Sequence, residues 1–140
     1  MYVELTDLQA VLPLQFLTQA LDDDNDGVID AWEAVQAAAE RSVNAVLGVR
    51  FSVPFIATDT NPIPPIVCEA AFLFAAEACY TRRGVEFDQN PFGKSASTMR
   101  ATLRQIAAGE MPLAPTIERQ KPSVSIITEP ARTAGSGLSV

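Results

Sequence analysis

The feature that most constrains this chain is an acidic stretch at residues 22–33, which reads DDDNDGVIDAWE. It fits the pattern D-x-[DN]-x-[DN]-G-x5-E, which is typical of a calcium-binding loop between two helices, without a mismatch. A calcium ion takes about six to eight oxygen ligands, and the spacing offers five carboxylates and one backbone carbonyl. The predicted ligands, in order of loop position, are Asp22, Asp24, Asp26, Val28, Asp30 and Glu33.

The acidic stretch also has an interpretation without a metal. Asp30 can cap the helix that follows, and Glu33, three residues later, can complete a capping box. The run of three aspartates favours a cation, because like charges repel each other at short range. The pattern nevertheless occurs only once in the chain, whereas calcium loops of this type usually work in pairs. Calcium is therefore a candidate cofactor, and a metal-free acidic turn is the alternative.

The charge is unevenly distributed along the 140 residues, whose length suggests one domain. Residues 1–40 hold nine of the 17 acidic residues and none of the ten Lys and Arg residues. A net charge of -7 argues against simple coating of DNA. The asymmetry suits contact between copies arranged head to tail, or docking on a basic partner.

The absence of histidine excludes His-based catalysis and His-ligated zinc. Cys68 and Cys79 fall in one helical pattern about 16 Å apart, too far for a mutual disulfide. We expect two buried thiols in a reducing compartment. The sequence contains no nucleophile elbow and no Gly-rich phosphate loop, so we expect no enzyme. We also expect no signal peptide, because Met1 leads directly into YVELTD, and no membrane span, because Glu69 and Glu77 interrupt the longest apolar run.

The hydrophobic periodicity predicts an all-α fold with four helices in a small domain. We expect the first helix to run from an N-cap at Thr6 to about Leu21, with a kink or a restart at Pro13. The second helix is predicted to begin at Ala31 and to end near Gly48.

An extended connector at residues 50–64 is predicted between the second and third helices, because it contains several prolines. The third helix is predicted at residues 65–81 and is apolar on nearly its whole circumference. Such a helix is buried on every side, either as a central core helix or with help from a subunit interface. The fourth helix should run from a cap at Ser95 or Ser97 to about Ala108.

Two regions are predicted to bind partners. Arg100 and Arg104 lie one turn apart on the fourth helix, where they are either solvated or meet an acidic neighbour such as the 22–33 loop of another copy. Beyond the predicted helical domain at residues 1–110, residues 111–140 have no helical period and are expected to form an extended C-terminal arm. A short β-like run lies within the arm, and its predicted partner-binding residues are Pro122, Val124, Ile126 and Ile127.

Several motifs in residues 1–113 carry a resemblance to a known family. They are, in order, MYV and LTDL at the start, DNDGVID, AAERSVN followed by RFSVP, PPIV, and LRQIAAG. In this order and spacing the chain resembles the phage head–tail connector, or head-completion, proteins of the Mu-like Gp36 type. The departures are Phe51, where the family often has Tyr, and a long loop after Gly84. Residues 114–140 lie outside this resemblance.

The resemblance implies a small, mostly helical subunit in the neck of a tailed phage or phage-like particle, assembled in the host cytoplasm. Copies would form a ring, expected to be dodecameric, that binds the portal protein and receives the tail terminator or stopper protein. DNA would pass through its channel without sequence-specific binding, and no membrane would be involved. Extended arms of such adaptors reach the portal or neighbouring subunits. The alternative function is a calcium-binding, EF-hand-like interaction module.

Overall fold

The computed structural model describes residues 1–113, which form five α-helices and no strand. The all-α prediction is therefore confirmed. The helices are α1 (Leu5–Gln9), α2 (Leu14–Leu21), α3 (Trp32–Leu47), α4 (Pro65–Arg82) and α5 (Gly93–Ala107), with a 3-10 helix at Phe87–Gln89. The predicted partner-binding residues of the arm lie outside the described residues; they are Pro122, Val124, Ile126 and Ile127.

The first predicted helix is two helices, because Pro13 separates α1 from α2. Proline lacks the backbone N–H that would continue the helix, so the restart predicted there is confirmed. The predicted cap at Thr6 is wrong. Glu4 has the extended N-cap conformation, and its backbone N–H donates to the Asp7 carboxylate over 2.8 Å. The chain therefore enters α1 before it reaches Thr6.

The predicted caps of the later helices are also wrong. Ala31 is the N-cap of α3, and the Asp30 carboxylate instead accepts the Asp23 N–H over 2.9 Å. Helix α5 begins at Gly93, before the serines predicted to cap it. The reason is Asn90, which is buried; its side-chain oxygen accepts the Phe92 N–H over 2.9 Å and so fixes the turn that starts α5. The predicted end of α3 at Gly48 is confirmed.

Helix α4 is the centre of the fold and packs against α1, α2, α3 and α5. Eight of its 18 residues are buried, and most of these are small. Small side chains let several helices approach one helix closely. The central-core interpretation therefore holds for most of α4. Cys79 is fully buried, and burial raises the pKa of its thiol to about 11. Cys68 is only half-buried, so the prediction of two buried thiols is wrong for Cys68.

Tyr2 connects the N-terminal segment to α3 and to the connector before α4. Its hydroxyl donates to Asn44 over 2.6 Å and accepts the Phe55 N–H over 2.8 Å. Its backbone N–H donates to the Glu40 carboxylate over 2.6 Å. Because burial removes the phenol from water, the pKa of Tyr2 is raised. The connector, although it has no regular structure, is therefore held to the helices at a defined point.

None of the helices within residues 1–113 is long and apolar enough to cross a membrane.

The C-terminal end of α3 offers a matched test of the core, with Leu47 as its last residue and Val49 just beyond it. Leu47 is fully buried, whereas Val49 is 80% exposed. Leu47→Ala should lower the free energy of unfolding by about 2–5 kcal/mol, because it removes buried methyl groups and leaves a cavity. Val49→Ala should change it by less than about 0.5 kcal/mol. Urea unfolding followed by circular dichroism measures both, and equal losses would contradict this account of the core.

Candidate metal-binding loop and interaction surfaces

The acidic loop connects α2 to α3, and its two ends are joined by the backbone. The Leu21 carbonyl accepts the N–H of Asp30 over 3.0 Å and that of Ala31 over 2.9 Å. These two bonds close the loop into a compact turn at the surface. Ile29, at the eighth position of the loop pattern, is apolar and partly buried, and it packs against the core.

Asp22 organises the interior of the loop. Its carboxylate accepts the N–H of Gly27 over 2.7 Å and that of Asp26 over 3.2 Å. Asn25 and Gly27 have φ values of 62° and 85°, in the left-handed region that glycine adopts at least cost. The Asp26 carboxylate in turn accepts the Val28 N–H over 2.9 Å. The loop therefore keeps its shape through carboxylate-to-backbone hydrogen bonds within the chain.

Three of the six predicted metal ligands come together. Asp22, Asp24 and Asp30 each offer a carboxylate oxygen, and these oxygens lie within 4.8 Å of one another. Two oxygens bound to one Ca²⁺ at about 2.4 Å can be at most about 4.8 Å apart, so the three could share one ion. Asp26 and Glu33 are not part of this group. An all-oxygen donor set fits a hard cation such as Ca²⁺.

The clustered carboxylates titrate differently from one another. A hydrogen bond shared with the Asp26 carboxylate, together with desolvation and the nearby Asp22, raises the pKa of Asp24 to about 6. Desolvation acts in the same direction on Asp22, but the N–H groups of Gly27 and Asp26 outweigh it and lower the pKa of Asp22. The loop consequently holds one proton on Asp24 in mildly acidic solution, while Asp22 stays ionised.

Arg82, at the end of α4, is a contact of the loop that the sequence did not reveal. Its guanidinium forms an ion pair with Asp23, and its Nε donates to the Ala20 carbonyl over 2.8 Å. A cation at the C-terminal end of a helix is also favoured by the helix dipole. The fold adds that Arg82 links α4 to the end of α2 and offsets part of the loop's negative charge.

The two arginines predicted to bind partners have different surroundings. Arg100 forms an ion pair with Glu77 of α4, and its guanidinium lies 4.8 Å from the centre of the Phe74 ring. Arg104 is exposed and forms no ion pair with a carboxylate of residues 1–113. Arg100 borders a shallow groove of about 420 Å³ between α3, α4 and α5.

A second groove, of about 470 Å³, lies between α1 and α4. Its apolar wall contains Val11, Cys68 and Phe72, and the carboxylates of Asp7 and Glu69 also line it. The sequence did not indicate this groove, because its residues come from the N-terminal segment around α1 and from α4, which only the fold brings together.

The raised pKa of Asp24 predicts a measurable titration. Carbon NMR of the side-chain carboxyl should give a pKa of about 6 for Asp24 in place of 3.8. Since the folded state binds this proton more tightly than the unfolded state, its contribution to stability is present at low pH and is lost as the pH rises through about 6. Asp26→Ala should lower this pKa toward its ordinary value, because it removes the largest cause of the shift, and Asp59→Ala should leave it unchanged. A wild-type Asp24 with an ordinary pKa would contradict the shared hydrogen bond.

Comparison with known proteins adds a family to this geometry. No curated protein and no solved structure gives a significant match. The family described as bacteriophage Mu, Gp36, matches residues 2–126. The match includes α1 to α5 and continues past residue 113 into the C-terminal arm. It agrees with the resemblance carried by the sequence motifs and extends it to residue 126. The chain belongs to the bacteriophage Mu Gp36 family.

Proposed function

We propose that this protein is a structural head–tail connector subunit of a tailed phage or phage-like particle. Copies form a dodecameric ring in the neck of the virion, bind the portal protein, and receive the tail terminator or stopper protein. The subunit has no enzymatic role and is assembled in the host cytoplasm. The observation that carries this proposal is the family match over residues 2–126.

The charge distribution supports a ring built from head-to-tail contacts. A closed ring needs two different, complementary patches on each subunit. Residues 1–40 contain nine acidic and no basic residues, whereas α5 contains three basic and no acidic residues. Residues 1–40 of one copy, its acidic side, can therefore attract α5 of the next copy. Salt should screen this attraction and weaken it.

Arg104 is the cation of α5 that best suits this contact. The charge of Arg100 is already engaged by Glu77 and by the Phe74 ring. Arg104 is exposed and has no acidic partner within residues 1–113. Pairing Arg104 with a carboxylate of another copy therefore breaks no existing ion pair within residues 1–113.

The net charge also suits a channel through which DNA must pass. DNA binds proteins mainly through contacts between its phosphates and Lys or Arg side chains. With a net charge of -7, the subunit as a whole repels the phosphates. The ring would therefore guide DNA without holding it.

Assembly in solution tests the connector proposal. Size-exclusion chromatography with light scattering, with and without the portal protein of the same particle, should show a ring or a portal-bound complex. Arg104→Glu should reduce the assembled fraction several-fold, because it places an acid against the acidic side of the next copy. Arg41→Glu, a matched reversal at an exposed position of α3, should have a smaller effect. A strict monomer that does not bind the portal would contradict the proposal.

A calcium-binding, EF-hand-like interaction module is the second candidate function. The observation that favours it is the approach of Asp22, Asp24 and Asp30 within 4.8 Å. When bound, the ion would neutralise these carboxylates and stiffen the connection between α2 and α3. This role is compatible with a connector subunit, in which a stiffer loop would fix the acidic side of each copy.

Calorimetric titration with CaCl₂ tests the second candidate. Asp24→Asn should weaken calcium binding by at least about tenfold, the lower end of the cost of losing even an outer-shell partner. Asp24 suits this test because no backbone N–H of the loop donates to its carboxylate. Asp59→Asn, outside the loop, should bind as the wild type does. Glu33→Ala distinguishes a full twelve-residue site, which it would weaken, from a site made by the three aspartates alone. Absence of binding heat in the wild type would rule the module out.

A further inference from the structure

The groove between α1 and α4 has an exposed apolar wall, formed by Val11, Cys68 and Phe72. Val11 is 58% exposed, and the other two side chains are half-buried. Apolar side chains that line a concave surface favour an occupant that removes them from water. Through Cys68 and Phe72, the wall includes a partly exposed stretch of α4.

The polar part of this groove is an acidic rim, formed by Asp7 and Glu69. Both residues are exposed, and neither forms an ion pair with a cation of residues 1–113. An occupant that complements the groove therefore combines cations with apolar side chains over a short distance.

The C-terminal arm of the same chain contains such a combination. A basic pair, Arg119 and Lys121, precedes the apolar run at residues 124–127, which reads VSII. The family match covers the basic pair and ends at residue 126, within the apolar run. Near the start of the arm, Leu113 packs against the core of the domain.

The arm is long enough to reach the groove. From residue 113 to residue 126, an extended chain spans about 43 Å. A folded domain of this size has a radius of gyration of about 13 Å, equivalent to a sphere of about 17 Å radius, so about 43 Å along the surface reaches most of it. A tethered segment is also present at a high effective concentration, which favours binding within the chain over binding to another copy.

We propose that the α1–α4 groove binds the C-terminal arm of its own chain. The apolar run covers the apolar wall, and the basic pair faces the acidic rim. The free subunit thereby shields the exposed part of α4. This inference goes beyond the connector function and does not depend on ring formation, because it concerns the monomer.

Cys68 allows a direct test, because it lies in the apolar wall. Val124→Cys, Ile126→Cys and Ile127→Cys, each in the full-length chain, place a second thiol in the apolar run. Dilute monomer would be oxidised with diamide at mildly alkaline pH, and peptide mapping would locate any disulfide. Val140→Cys is the matched control, at the end of the arm. A disulfide needs Cα atoms within about 7 Å, so the rate at which it forms reports how closely the introduced cysteine approaches Cys68.

We expect at least one of the three variants to form a disulfide with Cys68 within the chain several-fold faster than the Val140→Cys control. Adding Cys68→Ser should abolish it, because Cys79 is fully buried and cannot substitute. Adding Glu69→Lys should slow it several-fold, since the rim would then be neutral and would no longer attract the basic pair. Adding Asp59→Lys, outside the groove, should not.

Two outcomes would overturn the inference. If none of the three variants reacts faster than the Val140→Cys control, the arm does not occupy the groove. If the disulfides form only between chains, the groove binds the arm of another copy. Light scattering on the same samples reports the oligomeric state separately, so a failure of this inference is distinguishable from a failure of the connector proposal.

Discussion

The rest of the structure depends on the burial of α4 among its neighbours. Helix α4 packs against α1, α2, α3 and α5, and six of its residues are fully buried. Helices α2, α3 and α5 bury apolar residues on one side only, while α1 is only five residues long. Such short or one-sided helices are not stable alone, because their stability comes from tertiary packing. The central helix supplies the surface against which each of them folds.

The acidic loop is positioned by this arrangement. It joins two helices that pack beside α4, and Arg82 at the end of α4 forms an ion pair with Asp23. The loop shape itself is maintained by hydrogen bonds from its backbone to Asp22. Its remaining carboxylates are therefore held close together at the surface despite their mutual repulsion. This strongly acidic feature can serve either as a cation site or as a patch that attracts a basic helix.

The two grooves beside α4 have different chemistry. The groove that α3 and α5 form with α4 is bordered by Arg100, whose charge is already paired with Glu77. The groove on the α1 side has an acidic rim without a cation partner in residues 1–113. In the proposed connector function, each subunit would contact its neighbours, the portal and a stopper at once. Separate surfaces on one small domain suit such multiple contacts, because each can recognise a different charge pattern.

Local features of the fold could be read from the sequence. The helices at 65–82 and 32–47 were predicted within a residue or two, since apolar spacing and the terminating Gly48 act over one or two turns. The break at Pro13 follows from the missing N–H of proline. The ligand spacing of the acidic loop predicted six converging ligands, of which Asp22, Asp24 and Asp30 come together.

The tertiary structure decided the contacts between residues far apart in the chain. Arg82 meets Asp23 across 59 residues, and Arg100 meets Glu77 across 23. The caps of α3 and α5 depend instead on short-range contacts that the sequence pattern did not reveal, from the Asp23 N–H to Asp30 and from the Phe92 N–H to Asn90. The sequence by itself determined the family, the helices and the acidic turn, because these are encoded in spacing along the chain. The fold alone determined which charges are paired and where grooves remain, because these depend on three-dimensional packing.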